Sequence, residues 1–352
     1  MKDKLVTFVV AAYNTEKFLK KCLNSFLLLD KDKKLCEKRI EVLVINDGST
    51  DRTEEIALNY QRNYPEIFRV ITKVNGGHGS VINRAIKEAS GKYFKVIDAD
   101  DWIEKRNLKN YLDQLESCCA DVVLTHYKTW HIKTKEWTWW KTFLEDYNRE
   151  YTLIDIQKNW KSMDRCLTFH GITYRTEFYR KKGIKLIEQI YYEDHQYATI
   201  PCCYASSIQP FDCCLYIYRI GDQRQSVSDR NQYSRRADTK KVILTMEKYL
   251  KENFIEPAGK FYYEEKLRRL ILSYMVTLLL SSPVRRKGYR EVQELLKQIK
   301  ADCNEVYQKV KISYFLLMCC SFMRISKKQY QRILKSRIYN IIRKNKEFQK
   351  EQ

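Results

Sequence analysis

Glu41-Val42-Leu43-Val44-Ile45-Asn46-Asp47-Gly48-Ser49-Thr50-Asp51 is the stretch that decides the fold. Glu41–Ile45 reads as a strand covered on both faces, because its apolar residues run continuously instead of alternating. Asn46–Ser49 is a polar turn, and a helix is predicted from about Asp51, with Thr50 or Asp51 as its N-cap.

The same unit recurs on either side. Upstream, Val6–Ala11 is a compact apolar run, and Lys17–Leu28 carries Phe18, Leu19, Cys22, Leu23, Phe26 and Leu27 at helical spacing. Downstream, Phe68–Thr72 predicts a third strand, Gly76-Gly77-His78-Gly79 a loop and Ser80–Ala89 a helix. Tyr93–Ile97 predicts a fourth strand, ending at Asp98-Ala99-Asp100-Asp101. Strands alternating with helices predict an α/β fold with a mainly parallel, Rossmann-like sheet. In such sheets ligands bind beyond the carboxyl ends of the strands. The polar clusters Ala12-Tyr13-Asn14, Asn46-Asp47, Asn75-Gly76-Gly77 and Asp98–Asp101 fall at those ends, so one shared site is expected.

Farther along, Asp121–His126 and Cys214–Tyr218 predict two more strands. Trp130–Phe143 is rich in aromatics and reads as a buried β-hairpin or as a platform for stacking a sugar ring. Arg219–Ser228 is a polar loop, and from about Gln232 the pattern is helical, broken near Pro257 and Pro283. The expected division is an α/β domain over 1–230 and a helical region over 231–352.

The chain's 352 residues suffice for one large or two modest domains. With 31% charged and 44% apolar residues, a fully disordered chain and a polytopic membrane protein are excluded. Leu270–Leu280 and Ile312–Met323 fall short of the roughly 18–20 apolar residues of a spanning helix. The apolar run after Met1-Lys2-Asp3-Lys4 is too short for a signal peptide. The 12 cysteines contain no Cys-x-x-Cys, which favours free thiols in a reducing compartment over disulfides or zinc, and hence a cytoplasmic protein. Net charge is +21, of which 230–352 carries +17. That half should be drawn to something anionic. Tyr330, Ile333, Leu334, Ile338, Ile341 and Ile342 recur at helical spacing among basic residues. Two readings stay open: an interfacial helix on an anionic membrane, or a helix packed on the main domain. No nucleic-acid-binding motif is present, so nucleic acid is not the expected partner.

Asp98-x-Asp100 at a strand end places two carboxylates where they can hold a hard divalent cation against a phosphate. Asp47 is placed to accept a hydrogen bond from a nucleobase N–H, with Tyr13 stacking on that base.

Val9-Val10-Ala11-Ala12-Tyr13-Asn14, the Glu41–Asp51 stretch, Asn75-Gly76-Gly77 and Asp98-Ala99-Asp100-Asp101 together resemble family-2 glycosyltransferases of the GT-A fold, over roughly residues 1–230. The resemblance implies transfer of a sugar from a nucleoside diphosphate donor, with UDP-sugar favoured, with inversion and with Mn²⁺ or Mg²⁺. It implies a saccharide, lipid-linked or cell-wall polymer acceptor in bacterial surface polysaccharide synthesis, and the basic C-terminal region adds a membrane-peripheral location to the expectation. Tyr13 would flank the donor base and Asp47 bond its edge. Asp98 would lie near the ribose and sugar, and Asp100 on the metal. Asp100 and Asp101 are alternatives there. Glu193-Asp194 matches the acidic pair that supplies the general base, Asp194 being the favoured member. Arg219 with Gln225–Ser228 matches the loop that closes over the diphosphate, with Arg224 and Ser226 as further contacts. Ala12, Asn14, Asn75, Gly76, His78, Arg84 and Ala99 complete the expected donor site, and His170 and Trp139 the acceptor side. Two departures stand out: Ile82-Asn83-Arg84 replaces the family's Ala-Arg-Asn order, and the loop after Arg219 lacks the family's metal-binding His. The rival readings are a nucleotidyltransferase, disfavoured by the absence of a Gly-rich basic loop after the first strand, and a non-catalytic basic membrane- or polymer-binding protein.

Overall fold

The structure is a computed structural model that describes residues 4–28, 37–142, 144, 146–222, 225–226 and 228–334. The chain divides into two compact units, one of 1–225 with 254–263 and one of 226–253 with 264–352.

In the first unit the four predicted strands are β1 (Lys4–Ala12), β2 (Ile40–Asn46), β3 (Phe68–Thr72) and β4 (Gly91–Asp98). They run parallel in the order β3-β2-β1-β4. All seven residues of β2 are buried. Glu41 is the one charge in that strand, and it is satisfied by Thr7, Ser90 and Arg69. That pairing offsets the cost of burying it. The register sets Ala12 beside Asn46 and Ala11 beside Asp98. The strand ends are therefore level, and the polar residues that follow share one edge.

The sheet continues through β5 (Trp102–Ile103), β6 (Val122–His131), β7 (Glu136–Trp140), β8 (Ile172–Arg175) and β9 (Ile208–Ile220), in the full order β3-β2-β1-β4-β8-β6-β9-β5, with β7 paired to β6. β9 is much longer than the predicted Cys214–Tyr218. Pro210 and Asp212 hide its start, and the β6–β9 register shifts near His126, opposite that irregular segment. The tryptophan hairpin exists as β6–β7, but it is not buried. Trp137 and Trp139 are half exposed on the edge strand, with Lys128 Nζ 3.9 Å over the Trp139 ring.

The helix after β2 is Thr53–Asn63, with Arg52 at the N-cap position instead of Thr50 or Asp51. Asp51 still caps it in effect, accepting the Thr53 N–H at 2.9 Å.

The second unit is helical: Asp229–Ser234, Arg236–Glu252, the 264–280 part of Pro257–Leu280, Arg285–Asp302 and Asn304–Phe322. Pro257 opens a helix, where its missing N–H is harmless, and Pro283 lies in a gap between two. The predicted terminal helix beyond Leu334 lies outside the described residues.

Candidate active site

The site is built on the level strand ends. Asn14 has a left-handed backbone (φ 51°), and its side chain accepts the Thr50 N–H at 2.8 Å, fastening the loop after β1 to the loop after β2. Tyr13 stands beside it, half exposed. Ala12 accepts the Asp47 N–H, and Ala11 accepts the Ala99 N–H.

Asp47 is buried, and both its oxygens are engaged. It accepts from Lys73 Nζ at 2.5 Å, Gly76 N at 3.0 Å and Gly77 N at 2.8 Å, while Asn75 Nδ2 bonds its carbonyl. The expected open acceptor for a base edge is here a clamp on the loop Asn75-Gly76-Gly77. A new donor reaches Asp47 only at a remaining lone pair or by displacing Lys73. Gly77 has φ 80°, a conformation that costs glycine little.

That clamp delivers His78. Its Nδ1 lies 2.6 Å from Glu193 Oε1, and its Nε2 makes an ion contact with Asp98 Oδ1 at 3.1 Å. Burial works against charge on His78, but the two carboxylates outweigh it and raise the imidazole well above 6.5. Burial would lift Asp98 too, yet His78 holds it below the usual carboxylate range. Gly79 lets the loop dock, since a Cβ there would fall 2.2 Å from the Ile187 carbonyl.

Asp98, Asp100 and Asp101 each offer a carboxylate oxygen within 4.8 Å of the others. Asp101 is fully buried and committed, accepting from Tyr216 Oη at 2.6 Å and Arg219 N at 2.7 Å. Asp100 is partly open. It meets Gln225 Nε2 at 3.3 Å and Arg219 Nη1 at 3.7 Å. Burial first, and then the charge of Asp98, push its carboxyl up to about 6. Crowded oxygens that resist ionising together are a donor set suited to a hard cation, and oxygen-only ligation fits Mn²⁺ or Mg²⁺.

Across the sheet, Glu193 and Asp194 begin the short helix Asp194–Thr199. Glu193 is buried on His78. Asp194 is partly exposed and has no side-chain hydrogen-bond partner among the described residues. His170 sits inside a stack of rings, 5.0 Å from Tyr127 and 4.3 Å from Tyr218, with Trp140 on the far side of Tyr127. Burial pushes its pKa down to about 4, and Asp98 and Asp194 lie near enough to oppose that shift. Its Nδ1 is buried without a hydrogen-bond partner. Lys95, buried on β4, bonds the carbonyls of His170 and Ile172 and fixes the segment from below.

The structure thus gathers Tyr13, Asn14, Asp47, Asn75, Gly76, His78, Asp98, Ala99, Asp100, His170, Glu193, Asp194 and Arg219 around one sheet edge. It does not bring Arg84 there. Arg84 is well along the helix His78–Glu88, half exposed and paired with Glu88 at 2.8 Å. Asn83 uses its amide instead, bonding Leu186 O and Glu188 on the chain that leads to Glu193. Trp139 makes no contact with the acidic cluster among the described residues; lysines cover its ring. Arg224 lies outside the described residues, and Ser226 belongs to the second unit. Asp222, the carboxylate nearest the place of the missing loop His, pairs with Arg219 at 3.3 Å. The sequence reading missed Tyr216, Tyr218 and Lys95. Lys95, a lysine in the middle of an apolar run, was the one available signal.

A nine-stranded sheet with a parallel four-stranded half, an Asp-x-Asp pair at its central strand end and an acidic pair facing it defines the GT-A class of nucleotide-sugar transferase folds. Residues 7–179 match the profile described as Glycosyl transferase family 2, so the chain carries a domain of that family. Glycosyltransferase GlyA of Streptococcus pneumoniae is 28% identical over 193 residues, 54% of this chain and 26% of GlyA. Poly(ribitol-phosphate) beta-N-acetylglucosaminyltransferase TarS of Staphylococcus aureus is 32% identical over 120 residues, 34% of this chain and 20% of TarS. The chain spans well under two thirds of the length of these curated relatives. The crystal structure of S. aureus TarS 1-349 in complex with UDP-GlcNAc aligns over 93% of this chain and 92% of that one, with a TM-score of 0.63 at 19% identity, a likeness of fold.

Proposed function

We propose that this chain transfers a sugar from a UDP-sugar to a hydroxyl of a saccharide, lipid-linked or cell-wall polymer acceptor, with inversion, in bacterial surface polysaccharide synthesis. The observation that carries the reading is the His78 bridge. It ties the Asp98–Asp100 side of the cleft to the Glu193–Asp194 side, so donor and acceptor groups face each other across one edge. The GT-A fold and the UDP-GlcNAc bound by the TarS structure support the choice of donor.

Tyr13 offers an exposed ring for a base to stack on. The Asp47 clamp shapes the glycine loop. Asp98 and Asp100 would hold Mn²⁺ or Mg²⁺, which when bound supplies positive charge against the leaving diphosphate. Arg219, cationic and half stacked 4.3 Å over Phe18, lies beside Asp100 and adds a second positive charge there. Asp194, the free member of the acidic pair, takes the proton from the attacking hydroxyl on the face opposite the leaving group. Glu193 is held by His78 and keeps its helix in register. His170, neutral and fixed by its ring stack, turns its imidazole toward acceptor or donor hydroxyls.

The test is calorimetric titration with UDP, GDP and CDP, each with and without Mn²⁺. Binding of UDP that Mn²⁺ strengthens is expected; no binding of any nucleotide by folded protein overturns the reading. Asp194→Asn should keep UDP binding while turnover falls by about 10²-fold or more. Turnover that survives removes Asp194 as the base.

A further inference from the structure

We propose that the second unit carries a membrane-docking face, the outward stripe of the helix Asn304–Phe322, which seats on an anionic bilayer. The inference stands apart from the glycosyl-transfer reading.

The helix is apolar on two sides. Val306, Val310 and Leu317 are buried in the unit. Ile312, Phe315, Leu316, Phe322 and Met323 are exposed by 53–89%, and their spacing puts them on the opposite face. An amphipathic helix of a globular protein presents one apolar face to the core and a polar one to water. A second apolar face, running about 16 Å from Ile312 to Met323 at 1.5 Å per residue, marks an interaction surface.

The charge around it is of one sign. Residues 306–334 contain six Lys and Arg and no Asp or Glu. Lys309 and Lys327 are used within the unit, on Glu264 and Asp229. Lys311, Arg324, Lys328 and Arg332 take no ion-pair partner among the described residues. Beside the stripe, a groove of about 520 Å³ is lined by Arg290, Lys297 and Lys300 with Tyr307 and Tyr314, and by one carboxylate, Glu294. Three cations in one groove suit phosphate headgroups.

These features select the occupant. A second copy docked through a two-fold axis would set this basic rim against itself, and like charges repel. A nucleic acid would not need five large exposed apolar side chains. An anionic bilayer takes both, apolar side chains into the acyl boundary and cations against headgroups. Among the described residues no helix is long and apolar enough to cross, so the face lies on the bilayer and does not span it.

The test is flotation of the full chain with vesicles of phosphatidylcholine containing about 30% phosphatidylglycerol, against pure phosphatidylcholine. The wild type should float with the anionic vesicles. Phe315→Ser/Phe322→Ser should lower its partition by about tenfold, and so should raised salt. Lys328→Glu/Arg332→Glu should act in the same direction without touching the stripe. UDP binding of each variant, measured alongside, shows that the protein is folded. Wild-type protein that stays unbound, or a double variant that floats as well as wild type, overturns the proposal. So does a vesicle-free dimer that Phe315→Ser/Phe322→Ser converts to monomer, since a second copy would then own the face. Loss of UDP binding in the wild type itself would count against the glycosyl-transfer reading and leave the flotation result standing.

Discussion

Replacing Asp100 by Asn should make the metal-free protein more stable while removing its metal-dependent function. The carboxyl of Asp100 is raised from 3.8 to about 6 by burial and by Asp98. An acid whose folded pKa is raised costs stability when ionised. The cost is absent below 3.8, grows as pH rises between 3.8 and 6, and is complete above 6. About two units at 1.36 kcal/mol each gives about 3 kcal/mol as the ceiling for Asp100→Asn above pH 6, and about half of that at pH 5. The substitution gives up little in return: a 3.3 Å bond from Gln225 that Asn can still accept, and a 3.7 Å ion contact with Arg219. The assay is urea unfolding in EDTA at pH 8 and pH 5, followed by tryptophan fluorescence. All six tryptophans (Trp102, Trp130, Trp137, Trp139, Trp140, Trp160) lie in the first unit, so the signal reports the unit that holds the site. The variant should gain stability, more at pH 8 than at pH 5, and Mn²⁺ should no longer strengthen UDP binding. A variant no more stable than wild type at pH 8, or one that keeps the Mn²⁺ effect, would refute the reasoning.

Other substitutions probe the neighbouring parts of the molecule. Asp101→Asn should lower stability by about 1–3 kcal/mol at pH 5 in the same assay, because an amide cannot accept from both Tyr216 Oη and the Arg219 N–H. The loss should be smaller at pH 8, because burial and then Asp100 and Asp98 raise the Asp101 carboxyl well above its usual range, and ionising it already costs the wild type stability there; a loss that is as large at pH 8 as at pH 5 would refute this. Gly79→Ala should cost about 1–3 kcal/mol or weaken UDP binding, since its Cβ would collide with the Ile187 carbonyl at 2.2 Å and push back the loop that carries His78. In the second unit, burial and then Asp302 raise Glu247 to about 7, and its Oε1 has no hydrogen-bond partner. Glu247→Gln should therefore stabilise the Arg236–Glu252 helix above pH 7, by up to about 3 kcal/mol, with the gain fading as pH falls to 4.5. Hydrogen exchange across that helix at pH 8 and pH 5 measures it.

Much of the α/β architecture was legible in the sequence. A strand buried on both faces has no polar side to show, so Val42–Ile45 and Tyr93–Ile97 announce themselves by continuous apolar runs, and polar residues then mark where each strand leaves the sheet. Those local rules are enough to place Tyr13, Asp47 and Asp98 on one edge. They fail where a strand is irregular, as in β9, whose Pro210 and Asp212 break the pattern while pairing with β6 sustains the strand. They fail also at the Trp137–Trp139 strand, because apolar alternation does not say whether anything covers the outer face.

The side-chain partnerships were decided only by tertiary structure. Asp98, Asp100 and Asp101 are close in sequence and nearly equivalent there. They part roles because Tyr216 and the Arg219 N–H, more than 110 residues away, claim Asp101 and leave Asp100 open. Glu193 and Asp194 are equally alike until His78, 115 residues earlier, takes Glu193 and leaves Asp194 free. Arg84 and Asn83 are neighbours on one helix, and the turn of that helix alone sends Asn83 to the chain before Glu193 and Arg84 to Glu88. The sequence by itself determined which residue types stand at the strand ends, because strand length and turn chemistry are local. Which carboxylate stays available was settled by long-range packing, since a hydrogen bond between distant segments leaves no periodic trace in either one.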